Sequence, residues 1–311
     1  MGQVFKVVSV NVSDKKGTIK TPLDQIELNE LGVKSDAHSG LWQRQVSLLG
    51  TESIRKFEAE AGRRISFGEF AENITTEGLI LYKTSPLDRL IIGDTELEIT
   101  QIGKKCHGSS CSIFKEVGNC VMPKEGIFAR VIRTGTVKAG DRAEYLKKIY
   151  NVHIITLSDR ASRGEYEDKS GPRIIELTTQ YFNKQNQAFE SEHTIIPDDP
   201  DALRILLHRA VGTGADVVFT TGGTGVGPHD FTPDVVKELV HKEIPGIMES
   251  IRIKYGLEKP NALLSRGIAG IIDKTLIYTL PGSVNAVNEY LSEIFKTFRH
   301  LIFMLHAIDS H

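Results

Sequence analysis

The densest chemistry in this 311-residue chain lies in Thr220-Thr221-Gly222-Gly223-Thr224-Gly225-Val226-Gly227-Pro228-His229-Asp230-Phe231-Thr232-Pro233-Asp234, which begins at the end of an apolar run, Val217–Thr221. Four glycines in six residues let backbone N–H groups approach an anion closely, and the N-terminus of a following helix adds a favourable partial charge. The phosphates of a nucleotide or another phosphorylated ligand suit such a loop. The plainer alternative is a glycine-rich turn that holds nothing. Neither G-x-x-x-x-G-K-[ST] nor a complete G-x-G-x-x-G is present, which moves the reading away from kinase-like and dinucleotide enzymes.

Carboxylates gather near this loop in two places. Asp230 and Asp234 stand just beyond the glycines, while Asp198 and Asp199 follow the apolar Ile195-Ile196-Pro197. In a parallel sheet both sets fall at the carboxyl edge, the usual ligand crevice. Acids facing a phosphate loop repel the ligand unless a divalent cation lies between them, so Mg²⁺ bridging is the economical explanation. Helix capping is the competing one, with Asp199 ahead of Pro200 and Thr232 ahead of Pro233. A third cluster, Cys106, His107, Cys111 and Cys120, has the spacing C-x₄-C-x₈-C. Its thiolates could serve zinc or an iron–sulfur centre, but the spacing matches no standard zinc pattern. A cysteine of this kind is otherwise a small buried hydrophobe.

The elements that must position these groups fall into two series. Up to residue 145 the apolar runs are short and β-rich: Val4–Val12, Leu79–Tyr82, Leu90–Ile92, Leu97–Ile102 and Ile127–Ile132, with turns at Gly93-Asp94 and Gly140-Asp141. This predicts a small, mostly-β barrel or sandwich, with one helix over Glu52–Ala61 capped by Thr51. The polar stretch Arg142–Tyr150 reads as a linker. Beyond it strands alternate with helices: Val152–Leu157, a helix near Arg173–Phe182, His193–Ile196, a helix over Asp201–Val211, then Val217–Thr221. Such alternation predicts an α/β domain with a mainly parallel sheet covered by helices in three layers. Leu203, Leu206, Leu207, Ala210 and Val211 give the Asp201–Val211 helix a core-facing stripe. Val284, Val287, Leu291, Ile294, Phe295, Phe298 and Leu305 do the same for the last helix, where the aromatics read as core.

Composition bounds the partners. With 40% hydrophobic and 25% charged residues the chain is long enough for two cores, and a net charge of -2 with a pI near 6.6 leaves no basic footprint for nucleic acid or an anionic membrane. No run of about 18 apolar residues and no secretory leader pattern occurs, and Met1-Gly2 lacks the Ser or Thr that myristoylation wants, having Lys6 instead. Three cysteines within fifteen residues make a poor disulfide framework, so a reducing cytoplasm is expected.

The glycine loop with His229-Asp230-Phe231-Thr232-Pro233-Asp234, together with Ser158-Asp159-Arg160-Ala161-Ser162, Ser170-Gly171-Pro172, Glu243-Ile244-Pro245-Gly246, Leu264-Ser265-Arg266 and Leu280-Pro281-Gly282-Ser283, resembles the molybdopterin adenylyltransferase family, which includes the G domains of gephyrin and its plant counterpart. The resemblance implies that the terminal phosphate of molybdopterin attacks the α-phosphorus of ATP and releases pyrophosphate. It assigns Asp198 and Asp230 as catalytic acids that organise Mg²⁺. Gly222, Gly223, Thr224 and Gly225 hold phosphate by the same resemblance, and Ser158, Asp159, Ser170, Glu243 and Ser283 line the pocket. His229 replaces a residue that is often basic in the family. A homo-oligomer, specifically a trimer, is also implied.

Residues 1–145 resemble the MOSC domain through Asp36-Ala37-His38-Ser39-Gly40, Arg44-Gln45-Val46-Ser47-Leu48-Leu49, Phe67-Gly68-Glu69-Phe70-Ala71-Glu72-Asn73-Ile74 and Thr100–Cys106. Cys106 occupies that family's cysteine position. Lys104 and Lys105 beside it favour a thiolate that would ligate the molybdenum cofactor or carry sulfane sulfur, with Cys111 and Cys120 extending the set. The combined expectation is a two-domain molybdenum-cofactor enzyme, residues 1-145 and 146-311, that adenylylates molybdopterin and then handles, sulfurates or delivers the cofactor to a recipient molybdoenzyme. A non-catalytic carrier or scaffold, and a nucleotide pyrophosphatase on a related fold, are the alternatives.

Overall fold

The computed structural model of the protein describes residues 2–105 and 120–308. The chain forms two compact units, Met1–Lys148 and Ile149–Ala307. The strands of the first unit are β1 (Gln3–Val12), β2 (Thr21–Leu23), β3 (Gln25–Asn29), β4 (Gly32–Val33), β5 (Val46–Gly50), β6 (Ile74–Glu77), β7 (Arg89–Ile92), β8 (Thr95–Ile102), β9 (Ile127–Arg133), β10 (Gly135–Lys138) and β11 (Arg142–Leu146). Seven of them close into a barrel in the order β11-β7-β8-β9-β5-β6-β1, where β1 returns to pair with β11. Alternating residues fill the interior, with Leu90 and Ile92 from β7, Leu97 and Ile99 from β8, and Val7 from β1 all buried. Irregularities at Val7/Ser9 in β1 and at two points along β8 and β9 supply local bends of the kind closure requires.

Three local expectations are corrected here. The stretch read as a linker, Arg142–Tyr150, is mostly strand: Ala143 is buried in the barrel, Arg142 and Glu144 face outward, and only Lys147 and Lys148 separate β11 from β12 (Ile149–Leu157). Charged residues on the outer face of an edge-closing strand imitate a linker. Leu79–Tyr82 does not pair as a strand. Leu79 and Leu81 plug the core from a 3₁₀ turn, Leu81–Lys83, locked by the Thr84 hydroxyl donating to the Leu81 carbonyl at 2.6 Å. Thr51 does not cap its helix, because the helix Thr51–Ala61 starts straight out of β5 with Gly50 in the cap position.

In the second unit β12 is joined by β13 (Ala188–Ile196), β14 (Val217–Thr221), β15 (Lys242–Glu243), β16 (Ala269–Ile272) and β17 (Thr275–Leu280) in the order β13-β12-β14-β17-β16-β15. The first four strands run parallel, β16 pairs antiparallel with β17, and β15 pairs antiparallel with β16. Central β14 is buried along its whole length, which explains why Val217-Val218-Phe219 does not alternate with polar residues. Val218 packs with Leu203, Leu207, Val235 and Val236 from the helices Pro200–Gly212 and Thr232–Leu239. On the other face Phe219 meets Tyr278 and Phe295, and Tyr181 stacks on Phe295 at 4.4 Å, so the helices Ser170–Lys184 and Val284–Leu305 cover that side. The aromatics of the last helix are core, as their spacing indicated. Asp199 caps its helix by accepting from the Asp201 and Ala202 N–H groups. Among the described residues no helix is long and apolar enough to cross a membrane.

Two buried charge networks hold these frames. Lys20 and Asp36 are each 1% exposed and 2.6 Å apart. Asp36 also accepts from the Ser13 and His38 N–H groups and from the Asn73 amide. Burial alone would raise the Asp36 pKa, but its bonds to His38 and Lys20 outweigh that and hold the carboxyl well below the usual range. In the second unit Asp168 accepts from the Thr156 and Ser170 hydroxyls and from the Ser170 and Gly171 N–H groups, with His193 at 3.2 Å. Burial is again outweighed by these bonds, and its pKa is likewise depressed.

Lys20→Met leaves Asp36 buried without its counter-charge and should destabilise the first unit by about 3–5 kcal/mol. Denaturant titration checks this, and an unchanged midpoint refutes it. For Asp168 the folded pKa lies below the unfolded one, so its contribution is present above pH ~4 and is lost as pH falls toward the folded value. Asp168→Asn should therefore cost about 1.5–3 kcal/mol at neutral pH, and the gap to wild type should close on acidification. Thermal melts across the acid range would expose a gap that stays constant.

Candidate active site

Strand register creates the site. Leu157 pairs with Ile196, Thr156 with Thr221, and Thr221 with Leu280, so the four parallel strands end nearly level with one another. The segments that leave them are Ser158-Asp159 after β12, Asp198 after β13, Gly222-Gly223 after β14 and Gly282-Ser283 after β17. An open cleft of about 390 Å³ lies at this edge. Its walls include Ser158, Asp159, Asp198, Gly223 and Asp230, five of the residues singled out from the sequence, and His229 beside them.

The two acidic loops are tied to each other. The Asp159 N–H donates to Asp198 Oδ2 at 3.3 Å, and the Asp198 N–H donates to Asp159 Oδ1 at 3.0 Å. Asp230 Oδ2 accepts from the Gly227 N–H at 2.8 Å. Each of the three carboxylates thus has one oxygen engaged by backbone and, among the described residues, a second oxygen without a hydrogen bond. A hard cation such as Mg²⁺ takes oxygen ligands and keeps several for water and substrate phosphate, so one or two carboxylates with a free oxygen suit it. Among the described residues, no three His, Cys, Asp or Glu side chains are grouped so as to hold a metal unaided.

The glycines divide into two roles. Gly222 and Gly223 have φ of +105° and +63°, the left-handed region, and a Cβ on Gly222 would fall 2.3 Å from the Leu157 carbonyl oxygen. Gly225 and Gly227 instead leave room for Asp230, whose Oδ2 would lie 2.7 Å and 3.0 Å from a Cβ at those positions. The loop is shaped around its own acid. Thr232 is not the cap expected of it: Phe231 holds that position, and the Thr232 hydroxyl donates to the Gly222 carbonyl at 3.0 Å. Thr224 is buried within the loop.

Three pocket candidates lie apart from the cleft walls. Ser170 is committed to Asp168, Glu243 is exposed on edge strand β15, and the Ser283 hydroxyl caps the last helix by accepting from the Ala286 N–H. Two residues the sequence reading left without a role do line the cleft, Arg160 and Arg163. Arg160 stacks over Tyr166 and Arg163 pairs with Glu165. Their signal was their position one and four residues beyond Asp159, on and just past the single helical turn Asp159–Ser162 at the strand's end.

In the first unit Cys106, His107 and Cys111 lie outside the described residues. Cys120 packs beside the apolar group of Phe57, Phe70 and Met122. His38 is held in its turn by Asp36, with Nδ1 3.2 Å from Oδ1. Glu72 is fully buried and accepts from the Gly68 N–H and the Thr75 hydroxyl, and burial pushes its pKa up. The Lys104 ammonium and the Arg44 guanidinium both lie about 6 Å from the Phe128 ring.

Comparison with known proteins now bears on these sites. A family described as a probable molybdopterin binding domain matches residues 153–300, and the MOSC domain matches residues 35–144. The molybdopterin adenylyltransferase of Pyrococcus furiosus is 40% identical over 165 residues, which cover 49% of this chain and 92% of that protein. The molybdopterin adenylyltransferase of Helicobacter pylori strain J99 is 35% identical over 153 residues, covering 49% of this chain and 85% of the relative. Gephyrin of Dictyostelium discoideum is 35% identical over 162 residues, 50% of this chain but 22% of that longer protein. Through its second unit the chain belongs to the molybdopterin adenylyltransferase family of molybdenum cofactor biosynthesis, and it joins that unit to a MOSC domain in one polypeptide.

Proposed function

We propose that the second unit catalyses Mg²⁺-dependent adenylylation of molybdopterin by ATP at the cleft between Asp198, Asp230 and the glycine loop. A phosphate oxygen of molybdopterin forms the new bond to the α-phosphorus of ATP, the bond from that phosphorus to the bridging oxygen breaks, and pyrophosphate leaves. Transfers of this kind depend on positioning and charge stabilisation more than on covalent participation by the protein. The observation that carries the reading is the convergence of acids and glycine loop at one strand edge, with a free oxygen on each acid.

Asp198 and Asp230, with Asp159 as a neighbour, would hold Mg²⁺, which when bound neutralises charge on the phosphates. The amides of Gly223, Thr224 and Gly225 orient a phosphate; Gly222, whose own N–H is taken by the Leu280 carbonyl, contributes the left-handed turn that starts the loop, while Arg160, Arg163 and His229 supply the cationic and polar lip. Ser158 fixes the entry to the cleft by capping the short helix Asp159–Ser162. Ser170, Glu243 and Ser283 act from the surrounding frame. The first unit, as a MOSC domain, binds, sulfurates or delivers the finished cofactor to recipient molybdoenzymes, using Cys106 with Cys111 and Cys120. Linking consecutive steps raises the local concentration of the intermediate. The working form is a cytoplasmic homo-oligomer, a trimer.

The test supplies ATP, Mg²⁺ and molybdopterin to the purified protein and quantifies pyrophosphate and adenylated pterin. Pterin-dependent product should form, Asp198→Asn and Asp230→Asn should each lower its rate by on the order of 10²–10³-fold, and chelation of Mg²⁺ should stop it. ATP left intact by a pterin-binding wild type would mean a carrier, and pyrophosphate release without pterin would mean a hydrolase.

A further inference from the structure

Arg266 lies 41 residues from Gly225 in sequence, yet three guanidinium nitrogens all turn to the glycine loop and the helix that follows it. Its Nε donates to the Gly225 carbonyl at 2.7 Å, and one terminal nitrogen donates to the Asp230 carbonyl. The other terminal nitrogen meets both oxygens of Asp234, at 2.8 and 3.0 Å. The Arg266 backbone N–H donates to the Thr224 carbonyl at 2.9 Å. Four acceptors of the segment, three of them main-chain carbonyls, are therefore drawn back onto one residue. On the donor side, the N–H groups of Gly223, Thr224, Gly225 and Val226 make no hydrogen bond among the described residues.

This division matters for an anion. A loop whose carbonyls could swing toward the cleft would present negative as well as positive ends of its peptide dipoles, and would repel phosphate about as often as attract it. Holding the carbonyls from behind fixes the polarity of the loop. The same guanidinium holds the backbone of Asp230, whose carboxylate lines the cleft. No lysine could replace it, because three acceptors in three directions need the planar fork.

We infer that Arg266 is the positioning residue of this site: it orients the glycine-loop amides and Asp230 toward the phosphates of a nucleotide without itself touching them. The inference rests on the phosphate-binding role proposed above for the loop.

Full-length wild type, Arg266→Ala and Arg266→Lys should be compared by calorimetric titration with MgATP and by hydrogen–deuterium exchange of peptides covering residues 222–232. That segment contains four internally bonded amides, those of Gly222, Gly227, Asp230 and Thr232, so its exchange reads loop order without any ligand. In Arg266→Ala, exchange there should be roughly tenfold faster while strands β12 and β14 keep their protection, and MgATP affinity should fall roughly tenfold or more. Millimolar guanidinium chloride should restore part of that affinity where sodium chloride at equal ionic strength does not, since the side chain is 37% exposed and its place is reachable. Arg266→Lys should recover little. Unchanged exchange in Arg266→Ala overturns the positioning role whatever the affinity does, as does an affinity within twofold of wild type in a folded variant. Faster exchange in the variant beside a wild type that does not bind MgATP would remove the adenylylation reading and the inference with it, and would leave Arg266 as a brace of the loop's fold alone.

Discussion

A parallel sheet has to leave its last peptide groups unpaired at the carboxyl edge, and in this protein four such strands stop almost level. Everything of chemical interest in the second unit hangs from that edge. The loops leaving it must find partners for their own polar groups, and they find them in each other: Asp159 with the backbone at Asp198, Asp198 with the backbone at Asp159, Asp230 with Gly227. Carboxylates that satisfy backbone donors in this way are fixed in place yet keep one oxygen each for an incoming group. The acids are part of the scaffold and, in the function proposed for this cleft, part of its reactive surface at once.

Much of this was legible because local pattern and tertiary role coincide. Val217-Val218-Phe219 is apolar and the two threonines after it are buried too, since both faces of β14 are covered, and four glycines crowd into six residues since a side chain on Gly222 would meet a carbonyl and one on Gly225 a carboxylate. Asp199 reads as a cap and is one. Where pattern and role diverge, the reading fails for a definite cause. Arg142–Leu146 has the composition of a linker because only Ala143 and Tyr145 turn inward from a strand whose other side is wet. Thr232 has the type and place of a cap, but the Gly222 carbonyl claims its hydroxyl first. Arg266 was visible only as part of a motif, since its partners are main-chain carbonyls and no side-chain spacing encodes those.

The barrel poses the opposite difficulty. The loops between its strands bury Lys20, Asp36, Glu72 and Asn73, polar residues that composition assigns to the surface. They are tolerated because each meets a partner of matching chemistry; Glu72 finds its donors within four residues, at Gly68 and Thr75, but the charged pairing is too distant in sequence to be read as one: Lys20 to Asp36 is sixteen residues and Asp36 to Asn73 is thirty-seven. Such a network favours one arrangement of loops over others as much as it stabilises the fold.

The closure of that barrel by its first and last strands also orders events in time. Gln3 pairs with Tyr145, and the Gly2 N–H donates to Glu144 across 142 residues. During synthesis residues 3–6 of β1 therefore wait, with their edge bare, until residue 146 has left the ribosome. An exposed strand edge recruits other strands, and contacts so distant in sequence form slowly. Lys6, lying on that edge opposite Arg142, is a charged residue of the sort that discourages wrong pairings during the wait. The second unit faces no such delay, because only the helices Asp159–Ser162 and Ser170–Lys184 separate β12 from β13, and the two strands can pair as soon as residue 196 emerges.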